Sequence, residues 1–384
     1  MKTCIVGVLP PSKSGVALYT LGLVSGIELT KPPFSVTIVA NKTASLELKF
    51  QRVEIRRSWT KGTKYFFQVL SAILHEKPLV VHFQHEFFLY GGLLSALIFP
   101  IILLFARILR KKVIVTMHGV VPRNLTTSQF AHSFFITSNP LILSGIGMLT
   151  SIICKLANAT IVHSNLAKTT LINDYGVNPQ KIRVIPHGIG FKKGSEKKNT
   201  NNKIILFFGN ITPGKGIETL ISAFEDIQVP NAKLIISGAI HPRGKEYFLK
   251  IKREIEKSPS FKKIELTGYI PDDKIHQLFE KCTVAVFPYN IAVSSSGGLS
   301  FALQHRKPVV VTSLPTFTET IKHNFNGLVV PPRDPKALAQ AIRKILLNEK
   351  MRKLMIDRIS KNSENLLWST ISMKTLEFYQ ECLN

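Results

Sequence analysis

Residues 294–312 read SSSGGLSFALQHRKPVVVT, and the second half of the chain is organised around this stretch. Small Ser and Gly residues lead into an apolar helical pattern at Leu299, Ala302 and Leu303, and a proline then opens a β-branched run. The pattern predicts a loop, a short helix and a buried strand in that order.

The start of this predicted helix has the properties of an anion site. Its first N–H groups have no partner within the helix and lie at the positive end of the helix dipole, so they suit a phosphate group. The candidate residues are Ser296, Gly297, Gly298 and Leu299. The alternative is an ordinary helix with a serine cap, because Ser is common at that position.

The composition is that of a large, basic globular protein. The chain has 384 residues, which suits two domains with separate cores. Its 50 Lys and Arg against 24 Asp and Glu give a formal net charge of +26, which favours phosphate-bearing substrates, anionic lipid or nucleic acid. No zinc-finger, RNA-recognition or basic-zipper motif accompanies this charge, so a nucleic-acid partner is not expected.

The cysteines and the amino terminus bear on the compartment. Cys4, Cys154, Cys282 and Cys382 stand far apart, which favours a reducing compartment over a disulfide framework or a metal site. The apolar start at residues 1–8 is too short a stretch for a signal peptide, and it predicts a first buried strand. We therefore expect a cytoplasmic protein.

Apolar runs alternate with helical patterns in both halves of the chain. Residues 4–9 form the first run, which a turn containing Gly15 joins to a helix, as at the start of an open α/β sheet. A second such unit begins at 204–208 and continues through the loop 209–216. The pattern predicts an α/β chain with a domain at 1–190, a polar linker at 191–203, a domain at 204–365 and a last helix at 366–384.

Two long apolar stretches, at 93–109 and 141–156, have two interpretations. The first contains Pro100 and is just short of the usual length for spanning a membrane. The favoured interpretation is a helix buried between the sheet and its neighbours. The alternative is contact with a membrane, to which the basic cluster at 107–112 would contribute.

Side chains at predicted strand ends and loops are candidates for a site. Lys215 stands between two glycines before a helix, where an ammonium group suits a diphosphate, and the alternative is a solvated lysine. His118 ends a strand before a glycine that lets a ligand approach, and the alternative is a structural histidine. Residues 82–86 have side chains of metal-binding type, but a strand points them to different sides, so no metal is expected.

The glycine-containing loops do not complete a known nucleotide-binding fingerprint. Neither Gly15 nor the loop 209–216 belongs to a P-loop, and neither has the glycine spacing of a dinucleotide-binding turn. These patterns disfavour an ordinary ATP-binding or nicotinamide-binding protein.

The ordered set of segments resembles the GT-B glycosyltransferases, and within them the large retaining family 4. The matching segments are residues 10–17, 81–86, 115–119, 184–189, 209–216, 268–271, 287–289, 308–310 and 326–332. Each segment is weak by itself, whereas their order and spacing together are specific.

This resemblance implies a fold and a reaction. The fold has two Rossmann-like domains that face each other across a cleft, with the last helix crossing back to the first domain. The reaction moves a sugar with retention from a UDP- or GDP-linked donor to a glycan or lipid-linked acceptor. The family usually uses no metal or other cofactor, and a lipid-linked acceptor implies peripheral contact with the inner face of an anionic membrane.

The resemblance also implies roles for individual residues. It places His118 near the donor sugar as the catalytic residue. It places the donor diphosphate at Gly15, Lys215, Ser296, Gly297, Gly298 and Leu299. On the donor side it further implies Asn210, Glu319 and His85.

The chain departs from the family at three positions. Asn210 stands where the family commonly has an arginine, and Val293 and Phe301 stand where it has two glutamates. The first glutamate usually meets the donor sugar and the second the ribose hydroxyls, and a phenylalanine ring cannot accept those hydrogen bonds. The alternative function is therefore a noncatalytic GT-B-like binding protein that has lost turnover.

Overall fold

The computed structural model describes residues 2–12, 14–43, 48–123, 140–190, 203–241 and 243–383. They divide into two compact units, of which the first comprises 2–123, 140–190 and 365–383 and the second comprises 203–364. The predicted linker lies outside the described residues except for Lys203, with which a strand begins.

Each unit contains one parallel sheet. The strands of the first unit are β1 (Lys2–Gly7), β2 (Ser35–Asn41), β3 (Val53–Trp59), β4 (Val80–His85), β5 (Lys112–Met117), β6 (Ala159–Val162) and β7 (Ile182–Val184). Those of the second unit are β8 (Lys203–Phe208), β9 (Ala232–Ser237), β10 (Ile264–Gly268), β11 (Val284–Phe287), β12 (Val309–Thr312) and β13 (Leu328–Val330). Central strands such as β12 are buried along their whole length, which is why they read as continuous apolar runs.

Helices connect the strands in both units. In the first unit they are α1 (Gly15–Thr30), α2 (Tyr65–Glu76), α3 (Leu93–Ile108), α4 (Pro140–Leu156) and α5 (Asn165–Asn173). In the second unit they are α6 (Ile217–Glu225), α7 (Lys245–Lys257), α8 (Asp272–Lys281), α9 (Gly297–Gln304), α10 (Pro315–Thr318), α11 (Pro335–Leu347) and α12 (Glu349–Ser363). The last helix, α13 (Trp368–Leu383), belongs to the first unit.

The order of the strands reverses once in each sheet. The first sheet has the order β3-β2-β1-β4-β5-β6-β7 and the second β10-β9-β8-β11-β12-β13. The chain thus changes direction between β1 and β4, and again between β8 and β11. Ligands of open parallel sheets bind beyond the carboxyl ends of the strands at such a reversal, so the loops after these strands are where a site is expected.

Helix α13 packs on α1 at short range. A Cβ atom on Gly22 would lie 2.1 Å from Cε2 of Trp368, and one on Gly26 would lie 2.3 Å from the Trp368 carbonyl oxygen. The hydroxyl of Ser372 donates to the Leu23 carbonyl at 2.9 Å. The last helix therefore returns to the first unit, as the resemblance implies, and glycines make this close approach feasible.

The sequence pattern missed β3 and α12. Strand β3 is an edge strand with β2 as its neighbour, and it carries Glu54, Arg56 and Arg57. Charged side chains are common on edge strands, where they prevent pairing with another sheet, but they hide the alternation that predicts a strand.

The favoured interpretation of residues 93–109 was a helix buried between the sheet and its neighbours, and it is only half right. One face of α3 packs against the core, whereas Leu94, Leu97 and Ile108 are among the residues at its surface. In the part of the chain that the structure describes, no helix combines the length and apolarity needed to cross a membrane.

Candidate functional site

In the second unit, the loop after β8 is held against the residues that follow β11. Gly216 has a φ angle of 66°, and a Cβ atom there would lie 1.9 Å from the carbonyl oxygen of Pro288. Only glycine fits this left-handed and crowded position. The amide of Asn290 donates to the carbonyl of Gly214 at 2.9 Å, so the two loops at the strand reversal are joined.

Tyr289 connects the predicted lysine to the predicted helix start. The Nζ atom of Lys215 lies 3.7 Å from the centre of the Tyr289 ring, a cation–π contact that keeps the ammonium group near the strand ends. The buried Tyr289 hydroxyl lies 3.1 Å from Oγ of Ser296. Sequence reasoning did not single out Tyr289, and its only signal was the matching segment 287–289.

The amino terminus of α9 combines a serine cap with an accessible backbone. The Ser296 hydroxyl accepts a hydrogen bond from the Leu299 amide at 3.3 Å, so the ordinary cap is present. A Cβ atom on Gly298 would lie 2.2 Å from the Phe208 carbonyl oxygen, whereas the space around Gly297 is open. Gly298 lets α9 pack on β8, and Gly297 leaves the helix start accessible to an anion. The cap and the anion site are therefore compatible.

The position where the family has its second glutamate belongs to an aromatic cluster. The ring of Phe301 lies 5.7 Å from that of Phe208 and 6.0 Å from that of Phe279, centre to centre. His305 stacks on Phe279 at 5.1 Å. The side chain at position 301 is therefore packed among aromatic rings and carries no group that could accept a hydrogen bond there.

The other predicted donor-side residues of this unit lie at the same edge of the sheet. Asn210 is exposed in the loop after β8. Glu319 is half-buried and follows α10, which comes directly after β12, and its amide donates to the Pro315 carbonyl at 3.1 Å. Both residues thus belong to segments that leave the carboxyl ends of central strands.

In the first unit, the predicted catalytic residue His118 is buried within a chain of polar side chains. Its Nε2 atom lies 2.8 Å from Oε1 of Gln84, and its Nδ1 atom lies 3.2 Å from Nε2 of His163. The Nδ1 atom of His163 lies 2.9 Å from the Ile185 carbonyl oxygen. Both ring nitrogens of His118 are therefore hydrogen-bonded to side chains of the first unit, which the sequence did not predict.

The hydrogen positions along this row of hydrogen-bonded side chains can be assigned by counting donors and acceptors. Three contacts run from Gln84 to the Ile185 carbonyl, and two neutral imidazoles supply one N–H each. Because the carbonyl only accepts, His163 donates from Nδ1, and His118 then donates from Nδ1 to His163. The Nε2 atom of His118 must accept, which requires the NH2 group of Gln84. Amide nitrogen and oxygen are interchangeable in shape, so we assign the NH2 group to His118 and the Gln84 oxygen to His82.

Burial keeps these imidazoles neutral, as the assignment requires. Burial lowers the pKa of His163 to about 4 and that of His82 to about 3, and neighbouring histidines act in the same direction. The pKa of His118 is lowered well below its ordinary value, again chiefly by burial. His82 is held in turn by Tyr379, whose hydroxyl lies 2.5 Å from its Nδ1, and by Thr116, whose Oγ1 lies 2.6 Å from its Nε2.

Gly15 opens α1 in a manner that parallels Gly297. Ser14 caps the helix by accepting a hydrogen bond from the Ala17 amide at 3.1 Å. Gly15 is exposed, and the space around it is open. A serine-capped helix start with an accessible glycine thus follows β1 in the first unit and β11 in the second.

His85 does not join the His118 cluster. Its ring packs against Phe99 at 4.6 Å and Phe87 at 5.3 Å, centre to centre, and burial lowers its pKa to about 3. Because side chains alternate along β4, His85 lies on the other face of the sheet from His82 and Gln84. Among the residues that the structure describes, no group of three His, Cys, Asp or Glu side chains is arranged to hold a metal ion.

Comparison with known proteins identifies the two halves separately. Residues 15–192 match the family described as Glycosyltransferase Family 4, and residues 189–362 match Glycosyl transferases group 1. An uncharacterized glycosyltransferase of Methanocaldococcus jannaschii is 30% identical over 182 residues, which are 47% of this chain and 45% of that protein. The aligned part of this chain spans about half the length of the curated relatives it matches.

Solved structures match the chain over its whole length. A sucrose-phosphate synthase from Thermosynechococcus elongatus has a TM-score of 0.79 at 17% identity, covering 100% of this chain and 99% of that one. The Anabaena protein HepE in complex with UDP-glucose has a TM-score of 0.75 at 16% identity, covering 99% and 100%. At these identities the likeness concerns the fold, which is the two-unit GT-B fold.

Proposed function

Because this chain belongs to the group 1 and family 4 glycosyltransferases of the GT-B fold, we propose that it transfers a sugar with retention from a UDP- or GDP-linked donor. The acceptor in this proposal is a glycan or a lipid-linked sugar. The observation that carries it is the contact of Lys215 with Tyr289, which itself touches the cap of α9. The presence of UDP-glucose in the Anabaena relative supports a nucleotide donor.

The second unit supplies positive charge for a leaving diphosphate. When the bond between the sugar and the diphosphate breaks, negative charge grows on the phosphate oxygens. The Lys215 ammonium group and the accessible first-turn amides at Gly297 and Gly298 are fixed before the reaction, so they stabilise this charge without reorganisation. In this proposal they do so without a metal ion.

His118 is proposed to contact the donor sugar. Since its Nδ1 hydrogen is directed to His163, the atom open to a new partner is Nε2, which a sugar hydroxyl reaches by displacing or sharing the bond from Gln84. Neutral Nε2 accepts a hydrogen bond, so it would orient a hydroxyl group of the sugar. Gly15, Asn210, Glu319 and His85 stay proposed donor-side positions.

Binding of nucleotide donors tests the proposal directly. Isothermal titration with UDP, UDP-glucose, GDP and GDP-mannose should show at least one ligand that binds. Lys215→Ala should weaken that ligand by about tenfold to a hundredfold, because a charge-assisted contact contributes about 1.5–3 kcal/mol. Lys350→Ala is the control, since it removes the same charge from an exposed position in the same unit. Absence of binding by every ligand would contradict the proposal.

A noncatalytic binding protein is the second candidate function. The observation that favours it is the aromatic cluster around Phe301, which stands where the family has an acid. Donor binding without transfer to any acceptor and without slow hydrolysis of the donor would assign this function instead. Release of free sugar from a bound donor would exclude it.

The proposal places the protein in the cytoplasm and, for a lipid-linked acceptor, at the inner face of the membrane. The net charge of +26 supports contact with anionic lipid, because each basic residue near such a surface contributes about 1 kcal/mol.

A further inference from the structure

Helix α3 is apolar at every position except Ser95 and Arg107, but only one side of it is covered. The large apolar side chains on its open side are between 40% and 66% exposed, and they are Leu93, Leu94, Leu97, Ile101, Leu104, Phe105 and Ile108. At 100° per residue these positions fall within roughly 120° of the helix circumference. They therefore form one continuous stripe.

Neighbouring helices widen this stripe. On α2, Phe67 is 72% exposed, and the ring of Phe66 joins it to Phe105 of α3 at centre distances of 5.0 and 5.6 Å. On α4, which packs beside α3, Met148 and Ile152 are exposed one turn apart. We call the stripe together with Phe67, Met148 and Ile152 the α3 face. Apolar patches of this extent on a protein surface mark interaction sites.

Basic residues border one end of the α3 face. Helices that connect parallel strands run opposite to them, so the carboxyl ends of α2, α3 and α4 lie at the same edge of the sheet. Exposed Lys77, Arg107, Arg110 and Lys155 stand at or just after these ends. Neither α3 nor α4 contains Asp or Glu, and no salt bridge within the described ranges involves these four cations.

An apolar stripe with a cationic border fits an anionic bilayer. A helix that lies in the membrane interface places its apolar face among the acyl chains and its Lys and Arg side chains against lipid phosphates. A second copy of the chain fits less well, since α3 and α4 carry no Asp or Glu that could pair with these cations across such a contact.

We propose that the α3 face is a membrane-binding surface, which lies in the interface of an anionic bilayer with Arg107, Arg110 and Lys155 against the lipid phosphates. The inference deepens the proposed function and rests on its membrane-surface part. It gives a physical role to an apolar face that the fold leaves open to water.

Vesicle sedimentation tests the surface. The full chain is incubated at low salt with phosphatidylcholine vesicles that contain or lack about 30% phosphatidylglycerol, since anionic lipid attracts basic residues. The wild type should sediment with the anionic vesicles, and raised salt should reduce the bound fraction. Leu97→Ser combined with Ile101→Ser should lower partitioning by about tenfold or more, because both side chains are at the surface and contribute apolar burial.

Matched variants keep the test interpretable. Leu249→Ser combined with Leu354→Ser alters two exposed leucines of the second unit and should leave sedimentation unchanged. Arg107→Glu with Arg110→Glu should abolish the preference for anionic vesicles. Circular dichroism checks that each variant is folded, and titration with the donor nucleotide should give wild-type affinity, which separates this inference from the proposed donor site.

Three results would overturn the inference. The first is equal sedimentation of the wild type and the α3 variant, and the second is no sedimentation of the wild type. The third is a concentration-dependent dimer in sedimentation velocity that the α3 variant abolishes, which would assign the face to a second copy of the chain.

Discussion

The Nδ1 atom of His118 lies 3.2 Å from the Nε2 atom of His163. Because His163 is bound at its other nitrogen by the Ile185 carbonyl, this contact sets which nitrogen of each ring carries the hydrogen. The same series of hydrogen bonds continues from His118 through Gln84 to His82 and Tyr379. The tautomer of the proposed catalytic histidine is therefore determined by residues at the ends of β4, β6 and β7.

Replacing the amide of Gln84 tests this assignment. In Gln84→Glu the side chain cannot donate a hydrogen, so a carboxylate facing Nε2 should favour the doubly protonated ring and raise the pKa of His118. Nitrogen-15 NMR of labelled histidine should show a neutral ring with the hydrogen on Nδ1 in the wild type and a charged ring in the variant near pH 6. Gln84→Met is the uncharged control, and a wild-type His118 ring with its hydrogen on Nε2 would refute the assignment.

Variants of Tyr289 separate its ring from its hydroxyl. Tyr289→Phe keeps the ring below Lys215 and removes the contact with Ser296, so it should cost about 0.5–1.5 kcal/mol of stability and leave donor affinity nearly unchanged. Tyr289→Leu removes both contacts and should also weaken donor binding severalfold, since a cation–π contact contributes about 0.5–2 kcal/mol. Urea unfolding and calorimetric titration measure the two effects. Equal donor affinity in both variants would show that the ring does not position Lys215.

Adjacent glycines at the start of α9 should respond in opposite ways to alanine. Gly298→Ala places a methyl group 2.2 Å from the Phe208 carbonyl oxygen, so α9 must move away from β8, at a cost of about 1–3 kcal/mol. Gly297→Ala meets open space and should be neutral or stabilise by up to about 1 kcal/mol. Chemical denaturation measures both, and a stable Gly298→Ala protein would disprove the close packing.

The buried histidines should make the protein sensitive to acid. Burial lowers the pKa of His82 and His85 to about 3 and that of His163 to about 4, whereas the unfolded chain titrates near 6.5. Below pH 6.5 the unfolded state binds protons that the folded state cannot, so stability is full above that pH and falls toward pH 4. Each histidine contributes about 1.4 kcal/mol per pH unit to the slope.

His85→Phe isolates one of these contributions. The His85 ring already packs against Phe99 and Phe87, so a phenyl ring should fit the same space. The variant should reduce the slope of unfolding free energy against pH by about 1.4 kcal/mol per unit between pH 6 and 4. Urea unfolding at several pH values measures this, and an unchanged slope would mean that His85 titrates normally in the folded protein.

Much of the second unit could be predicted from local sequence signals. The stretch at 294–312 predicts a loop, a helix and a strand, and the structure has α9 and β12 in these places. The serine cap at Ser296, which the sequence offered as the alternative to an anion site, is present, because capping depends on a few neighbouring residues. Strand β3 was missed since its charged residues mask the alternation of an edge strand.

The partners of the candidate side chains could not be predicted. Lys215 and His118 were selected for their positions at strand ends, but Tyr289, Gln84 and His163 come from other segments. Parallel strands bring these segments together at one edge of each sheet, and which side chains then meet depends on register and rotamer. No local pattern carries that information.

By itself, the sequence determined the alternation of strands and helices, the two α/β halves and the glycine-rich helix starts, because periodicity and backbone freedom are local properties. The tertiary structure decided which tautomer His118 adopts, what lies beneath Lys215, and which side of α3 is open. An apolar run such as 93–109 has the same composition whether or not a neighbour covers it. Exposure and hydrogen-bond partners are set by contacts between distant segments, so they emerge only when the whole chain is folded.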